Sequence, residues 1–175
     1  MEMMEIRIEE LSQKNICEKS LDGFVRTQKV SWVYIYKDSE YRLTEQPFID
    51  DWTLSRKREK AMELINGNLV SFGAFLNGEL VGFIGLKREL YGKRMIVSTL
   101  HVSATYRGHG IGKRLFLRGI EEAKKSGAEE LYISACFAKE TIDFYRAMGA
   151  DLTKQPITEM LEDNPDDLQM VCKVS

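Results

Sequence analysis

The chain has 175 residues, 43% hydrophobic and 30% charged, which places it among ordinary soluble globular proteins and predicts a single domain over residues 1–175. Its formal net charge of -2 provides no basic field, which argues against nucleic acid or an anionic membrane as partner. Cys17, Cys136 and Cys172 show no CxxC or Cys/His spacing, and His101 and His109 are the chain's two histidines; this argues against a disulfide framework or a zinc site and for a reducing cytoplasm.

The first residues, MEMMEIRIEE, have neither the basic start nor the apolar stretch of a signal peptide, and no apolar run is long enough to span a bilayer. The expectation is a soluble cytoplasmic protein, monomer or homodimer. Met4 to Ile8 alternates apolar and charged residues, as a half-buried strand does. Leu11 to Gln28 reads as one helix, ended or bent near Gly23. Val30 to Asp38 is rich in β-branched and aromatic residues. As a strand it puts Trp32, Tyr34 and Tyr36 on one face and Ser31, Val33 and Ile35 on the other. Asp38 to Glu40 then reads as a turn, with Tyr41 to Thr44 as hairpin partner.

Asp50, Asp51 and Thr53 are capping candidates for a helix reaching about Ile65, with Leu54, Ala61 and Ile65 on one face. Two apolar runs flank Asn77-Gly78, a strong hairpin signal. Met95 to Ser103 is nearly all apolar or β-branched and should lie centrally in the sheet. Ile111, Leu115, Phe116, Ile120 and Ala123 recur at helical spacing until Ser126-Gly127. Leu131 to Phe137 reads as a strand, Lys139 to Met148 as a short helix, and Leu168 to Val174 as a last strand. Hairpins first, then strand-helix-strand, predict an α/β fold: a mixed, mostly antiparallel sheet of about six to seven strands with helices on both faces.

Between the central strand and the helix from Ile111 lies YRGHGIGKRLF, with Gly108, Gly110 and Gly112 set between basic residues. A Walker loop fails, because only three residues separate Gly108 from Gly112 and Arg114 stands where a hydroxyl should be. A dinucleotide fingerprint fails too, because Lys113 occupies the place of the third glycine. What remains is a strand delivering the chain into a glycine turn from which a helix starts at once. Free amides and the positive end of the helix then converge on one spot, and glycine lets a ligand touch the backbone. Arg107 and Lys113 add charge. This is a metal-free pyrophosphate cradle; the alternative is a glycine turn that only holds a tight strand-helix corner.

The order VSATYRGHGIGKRLF, then a helix, a strand and FYRAMGA, resembles the GNAT superfamily of N-acetyltransferases. Arg107, Gly110 and Gly112 meet its Arg/Gln-x-x-Gly-x-Gly/Ala pattern, and Phe144, Tyr145 and Gly149 its second signature. The resemblance covers about Thr99 to Ala150. It implies acetyl-CoA as co-substrate, with the pyrophosphate on the amides of Arg107, Gly108, His109, Gly110, Ile111, Gly112 and Lys113. The pantetheine would lie between splayed strands and bond main chain at Leu100, His101 and Val102. Tyr145 matches the family's usual general acid, set to protonate the leaving thiolate. The polar residue that often opens the next helix is replaced near Ala138, leaving Ser134 or Thr141 as substitute anchors. The implied reaction is direct transfer to a primary amine of a small molecule or peptide in a ternary complex. The alternative is a non-catalytic acetyl-CoA-binding regulatory module.

No general base is assigned. His101 has a suitable acidity and faces away from Leu100 and Val102. The resemblance makes Leu11 to Trp52 the segment that shapes the acceptor pocket. There Trp32, Tyr34 and Tyr36 either floor an amine site through cation-π contact or pack in a core or dimer. Cys136 reads as packing.

Overall fold

A computed structural model describes residues 5–175 of the chain. The predicted first strand starts at Met4, outside those residues; the observed β1 is Ile6–Glu10. The expected helix over Leu11 to Gln28 is not formed. That segment is a series of turns. Its Ser and Asn side chains take local amides that a helix would use: Ser12 N donates to Asn15 Oδ1 at 2.9 Å, and Cys17 N donates to Ser20 Oγ at 2.8 Å. Leu11, Ile16, Leu21 and Phe24 are buried all the same.

Strands β2 (Gln28–Lys37) and β3 (Glu40–Asp50) form the expected hairpin, but as a two-stranded sheet of its own. Asp38 and Ser39 turn it with φ of 53° and 66°, the left-handed pair that suits strand twist. A bulge between Val30 and Trp32 breaks the expected alternation. Val30 and Val33 both point inward while Ser31 is exposed. Helix α1 is Leu54–Leu64, and Thr53 Oγ1 accepts from Arg56 N at 3.1 Å as its cap. Its inner face is Ala61 and Leu64, whereas Leu54, expected there, faces solvent.

Strands β4 (Leu69–Leu76) and β5 (Glu79–Lys87) pair about Asn77-Gly78, whose φ values are 51° and 80°. Next come β6 (Arg94–Val102), α2 (Ile111–Lys125), β7 (Glu130–Ala135) and α3 (Lys139–Ala147). The chain continues through β8 (Asp151–Leu152), α4 (Thr158–Asp163) and β9 (Leu168–Lys173). The seven-stranded sheet has the order β1-β4-β5-β6-β7-β9-β8, so β6 is central as expected. Its pairings are antiparallel except β6 with β7.

One face of the sheet carries Val97, Ile111, Leu115, Phe116, Ile142 and Tyr145, and so lies under α2 and α3. The other carries Phe75, Leu80 and Phe83 beneath α1 and the turn segment. Burying Leu115 and Phe116 contributes roughly 1.5–3 kcal/mol each. Gly119 sets how closely α2 approaches, since a Cβ there would stand 2.9 Å from Ile84 Cδ1.

Candidate active site

The parallel pair β6–β7 holds register from Arg94 with Glu130 to Val97 with Ile133 and then parts. The cause lies on β6. Its pairing with β5 jumps from Val97 with Leu86 to Thr99 with Gly85, so Ser98 is an extra residue that bends the strand. On its other side β7 pairs with β9 from Glu130 to Ala135, and past Ile133 that is its one remaining strand partner among the described residues. The β6 edge from Thr99 to Val102 therefore faces a gap. Leu100 and Val102 pack toward the α2 side, and His101 points to the opposite face, against Phe83 and Trp52.

At the end of β6 a short 3-10 turn, Ala104–Tyr106, leads into the glycines. Gly108 and Gly110 have φ of 83° and 77°, and a Cβ on either would meet no protein atom within 4 Å. That space is open for a ligand. Among the described residues, the consecutive amides of Gly108 to Lys113 donate to no backbone acceptor. They sit at the N-terminus of the 15-residue α2, where the helix dipole favours an anion. The Arg107 side chain turns back from this cradle. Its Nε donates to Val102 O at 3.2 Å and its Nη1 to Thr27 O at 3.0 Å, which ties the loop to the segment before β2. His109 and Lys113 are exposed beside the glycines.

Tyr145, 7% exposed, is held on α3 by the rings of Phe116 and Phe144, at 6.0 and 5.2 Å. Burial, then the nearby Cys136 and Asp167, push its phenol well above the ordinary value, so it stays protonated. Ala138 caps α3 without any side-chain bond. It is fully buried against Val30 and Val33, and its backbone bridges to Val33. A polar residue there would be buried against two valines, which accounts for the alanine. Thr141 Oγ1 accepts from Gln28 Nε2 at 3.5 Å.

Ser134 is engaged elsewhere. Its hydroxyl donates to Asp167 Oδ2 at 3.0 Å and accepts from Gln169 Nε2 at 2.9 Å, in a network that continues to Tyr132 and the amide of Ile157. Asp167 goes unnoticed in the sequence, where no local pattern ties it to Ser134. Burial raises its carboxyl above the usual range and the charge of Asp166 adds to this, while the Ser134 bond opposes it.

His101 is also more constrained than the sequence suggests. Trp52 lies 4.8 Å from its ring and is itself flanked by Arg26, Arg56 and Lys60 at 5.3, 5.7 and 5.8 Å. Burial and then the charges of Arg26, Lys60, Arg107 and Arg56 hold the imidazole pKa well below its ordinary value, hence the ring is neutral. Arg26, 7% exposed, pairs with Asp50 at 3.3 Å, and its buried Nε has no partner. Among the described residues, no group of three His, Cys, Asp or Glu is placed to hold a metal, and no helix is long and apolar enough to cross a membrane.

A central strand that splits from its parallel neighbour, beside a glycine-capped helix and a buried tyrosine, is the frame of an acyl transferase. The chain belongs to the Acetyltransferase (GNAT) family, which it matches over residues 29–150. Among curated proteins, no sequence matches it. Solved structures share the fold at low identity. Nourseothricin acetyltransferase is 19% identical, with a TM-score of 0.76 over 97% of this chain and 99% of that one. A Bacillus anthracis str. Ames protein described as a streptothricin acetyltransferase, solved with acetyl coenzyme A, is 20% identical, with a TM-score of 0.69 over 96% of each chain. The PaiA N-acetyltransferase from Thermoplasma acidophilum, solved with coenzyme A, is 20% identical, with a TM-score of 0.60 over 97% and 99%.

Proposed function

We propose that this protein transfers the acetyl group of acetyl-CoA to a primary amine of a small molecule or peptide, by direct attack in a ternary complex. The observation that carries this is the conjunction of an open β6 edge with the free amides of Gly108 to Lys113 at its end. Those amides suit a diphosphate without a metal. The main chain of Leu100, His101 and Val102 has room for an extended amide-bearing arm laid in the gap as a strand would be. The co-substrate supplies a thioester carbonyl.

In the transfer, the amine nitrogen bonds to that carbonyl carbon and the carbon–sulfur bond breaks. The nitrogen loses a proton to solvent or a base, and the departing thiolate takes one from Tyr145. The raised pKa of Tyr145 keeps that proton in place at neutral pH. The three free cysteines suit a reducing cytoplasm, where we place the protein.

The test is thiol release from acetyl-CoA against a panel of primary amines, set beside calorimetric binding of coenzyme A. Turnover supports the transferase. Binding without turnover for any amine would leave only the regulatory module, and no binding would remove both.

A further inference from the structure

A cavity of about 270 Å³ opens between the hairpin and the loop before β9. Its lining residues include Tyr34, Tyr36, Tyr41, Phe137 and Asp166, with no Lys or Arg among them. Two of its lining residues adjoin groups of the candidate centre along the chain. Phe137 follows Cys136 directly, and its carbonyl accepts from Tyr34 N at 2.9 Å. Asp166 precedes Asp167, whose charge acts on Tyr145. At ~30 Å³ per water-sized group, the space holds about nine such groups, enough for a short alkylammonium arm.

We propose that this cavity seats a second ammonium group of the acceptor, making diamines and polyamines the preferred substrate class. This rests on the acetyl-transfer reading above. Aromatic faces attract a desolvated cation, and a carboxylate at the rim completes the charge. The rings of Tyr36 and Tyr41, 5.1 Å apart and tilted by 58°, form one wall. Arg146 lies 5.4 Å from the centre of the Tyr34 ring, so Tyr36 and Tyr41 are the principal contacts. Among the described residues neither Asp166 nor Asp167 makes an ion pair, in a chain where many other carboxylates do. At these two carboxylates an arriving cation meets no internal ion-pair partner, while Arg146 occupies the Tyr34 ring.

The experiment compares spermidine, n-butylamine and γ-aminobutyrate as acceptors with acetyl-CoA, and measures spermidine binding by calorimetry at low salt. In the wild type, kcat/KM for spermidine should exceed that for n-butylamine by about tenfold. Asp166→Asn and Tyr36→Leu, both at exposed positions, should shrink that ratio and the calorimetric affinity by roughly fivefold. Glu162→Gln, outside the cavity, should preserve both. Equal turnover of the amines, preference for γ-aminobutyrate, or a spermidine advantage untouched by both cavity variants would overturn the cation seat. Spermidine binding weakened by the cavity variants, with no amine acetylated, supports the seat and overturns the transferase instead.

Discussion

Ser134 donates its hydroxyl to Asp167 Oδ2 at 3.0 Å, and that bond commits it to the β7–β9 network. Ser134→Ala should lower stability by about 1–3 kcal/mol, because Gln169 Nε2 loses its partner. Acetyl-CoA affinity should stay within about twofold, since the substitution is remote from any dominant contact. A large loss of that affinity with an unchanged Tm would put Ser134 on the cofactor.

Asp167 itself should be a net cost to the fold at neutral pH. Its folded pKa lies above the unfolded one, so the native state binds this proton more tightly and gains stability as pH falls through that value. Asp167→Asn should therefore raise Tm at pH 7, by about 2–4 °C for each kcal/mol recovered. The gain should shrink toward acid, where the native carboxyl is neutral as well. Thermal melts of both proteins at pH 4 to 8 check this, and a gain that grows in acid would refute it.

Tyr145→Phe should lower kcat by at least about tenfold while leaving acetyl-CoA binding intact. Since its phenol is raised above the ordinary value of 10, it should not limit the rate on the alkaline side below that pH. Pre-steady-state rates over a pH series decide the matter. An alkaline fall that disappears in the variant would mean the hydroxyl ionises earlier than its burial allows.

His101 predicts the opposite pH trend. Its folded pKa is depressed below the unfolded value of 6.5. The stabilising contribution of the neutral ring is thus present above pH 6.5 and lost as pH drops below it. His101→Phe should flatten the decline in Tm on that side. Parallel slopes for the two proteins would show that the imidazole is not the titrating group.

Two glycines separate ligand binding from folding. Gly110→Ala fills open space at a left-handed residue, with strain of roughly 1–2 kcal/mol, and should weaken acetyl-CoA binding about tenfold or more by crowding the amides. Gly119→Ala puts its Cβ 2.9 Å from Ile84 Cδ1, so it should lower Tm and spare binding. Calorimetry on the two folded variants distinguishes them.

The features legible in sequence were those set by local backbone demands. Asn77-Gly78 and Gly108-x-Gly110 adopt positive φ that few other residues accept, and β6 advertised its central place through a nearly continuous run of apolar and β-branched residues. In Leu11 to Gln28 the buried Leu11, Ile16, Leu21 and Phe24 do not recur at helical spacing, and Ser12, Asn15 and Ser20 divert the amides that a helix would use. Ser134 depends on Asp167 and Gln169, more than thirty positions away, and no local pattern carries that. The strand β8 and helix α4 are too short to have a period.

The β2–β3 hairpin belongs to a different sheet from the strands that open the gap. It joins them near α3 through the Tyr34–Phe137 bond and the Val33–Ala138 bridge. On the reading proposed above, selectivity and acyl handling are built on separate mechanical parts. Mutational drift can recut the outer ribbon for a new amine while the glycine seat and its phenol keep working, a modularity by which one scaffold can diversify without first losing its chemistry.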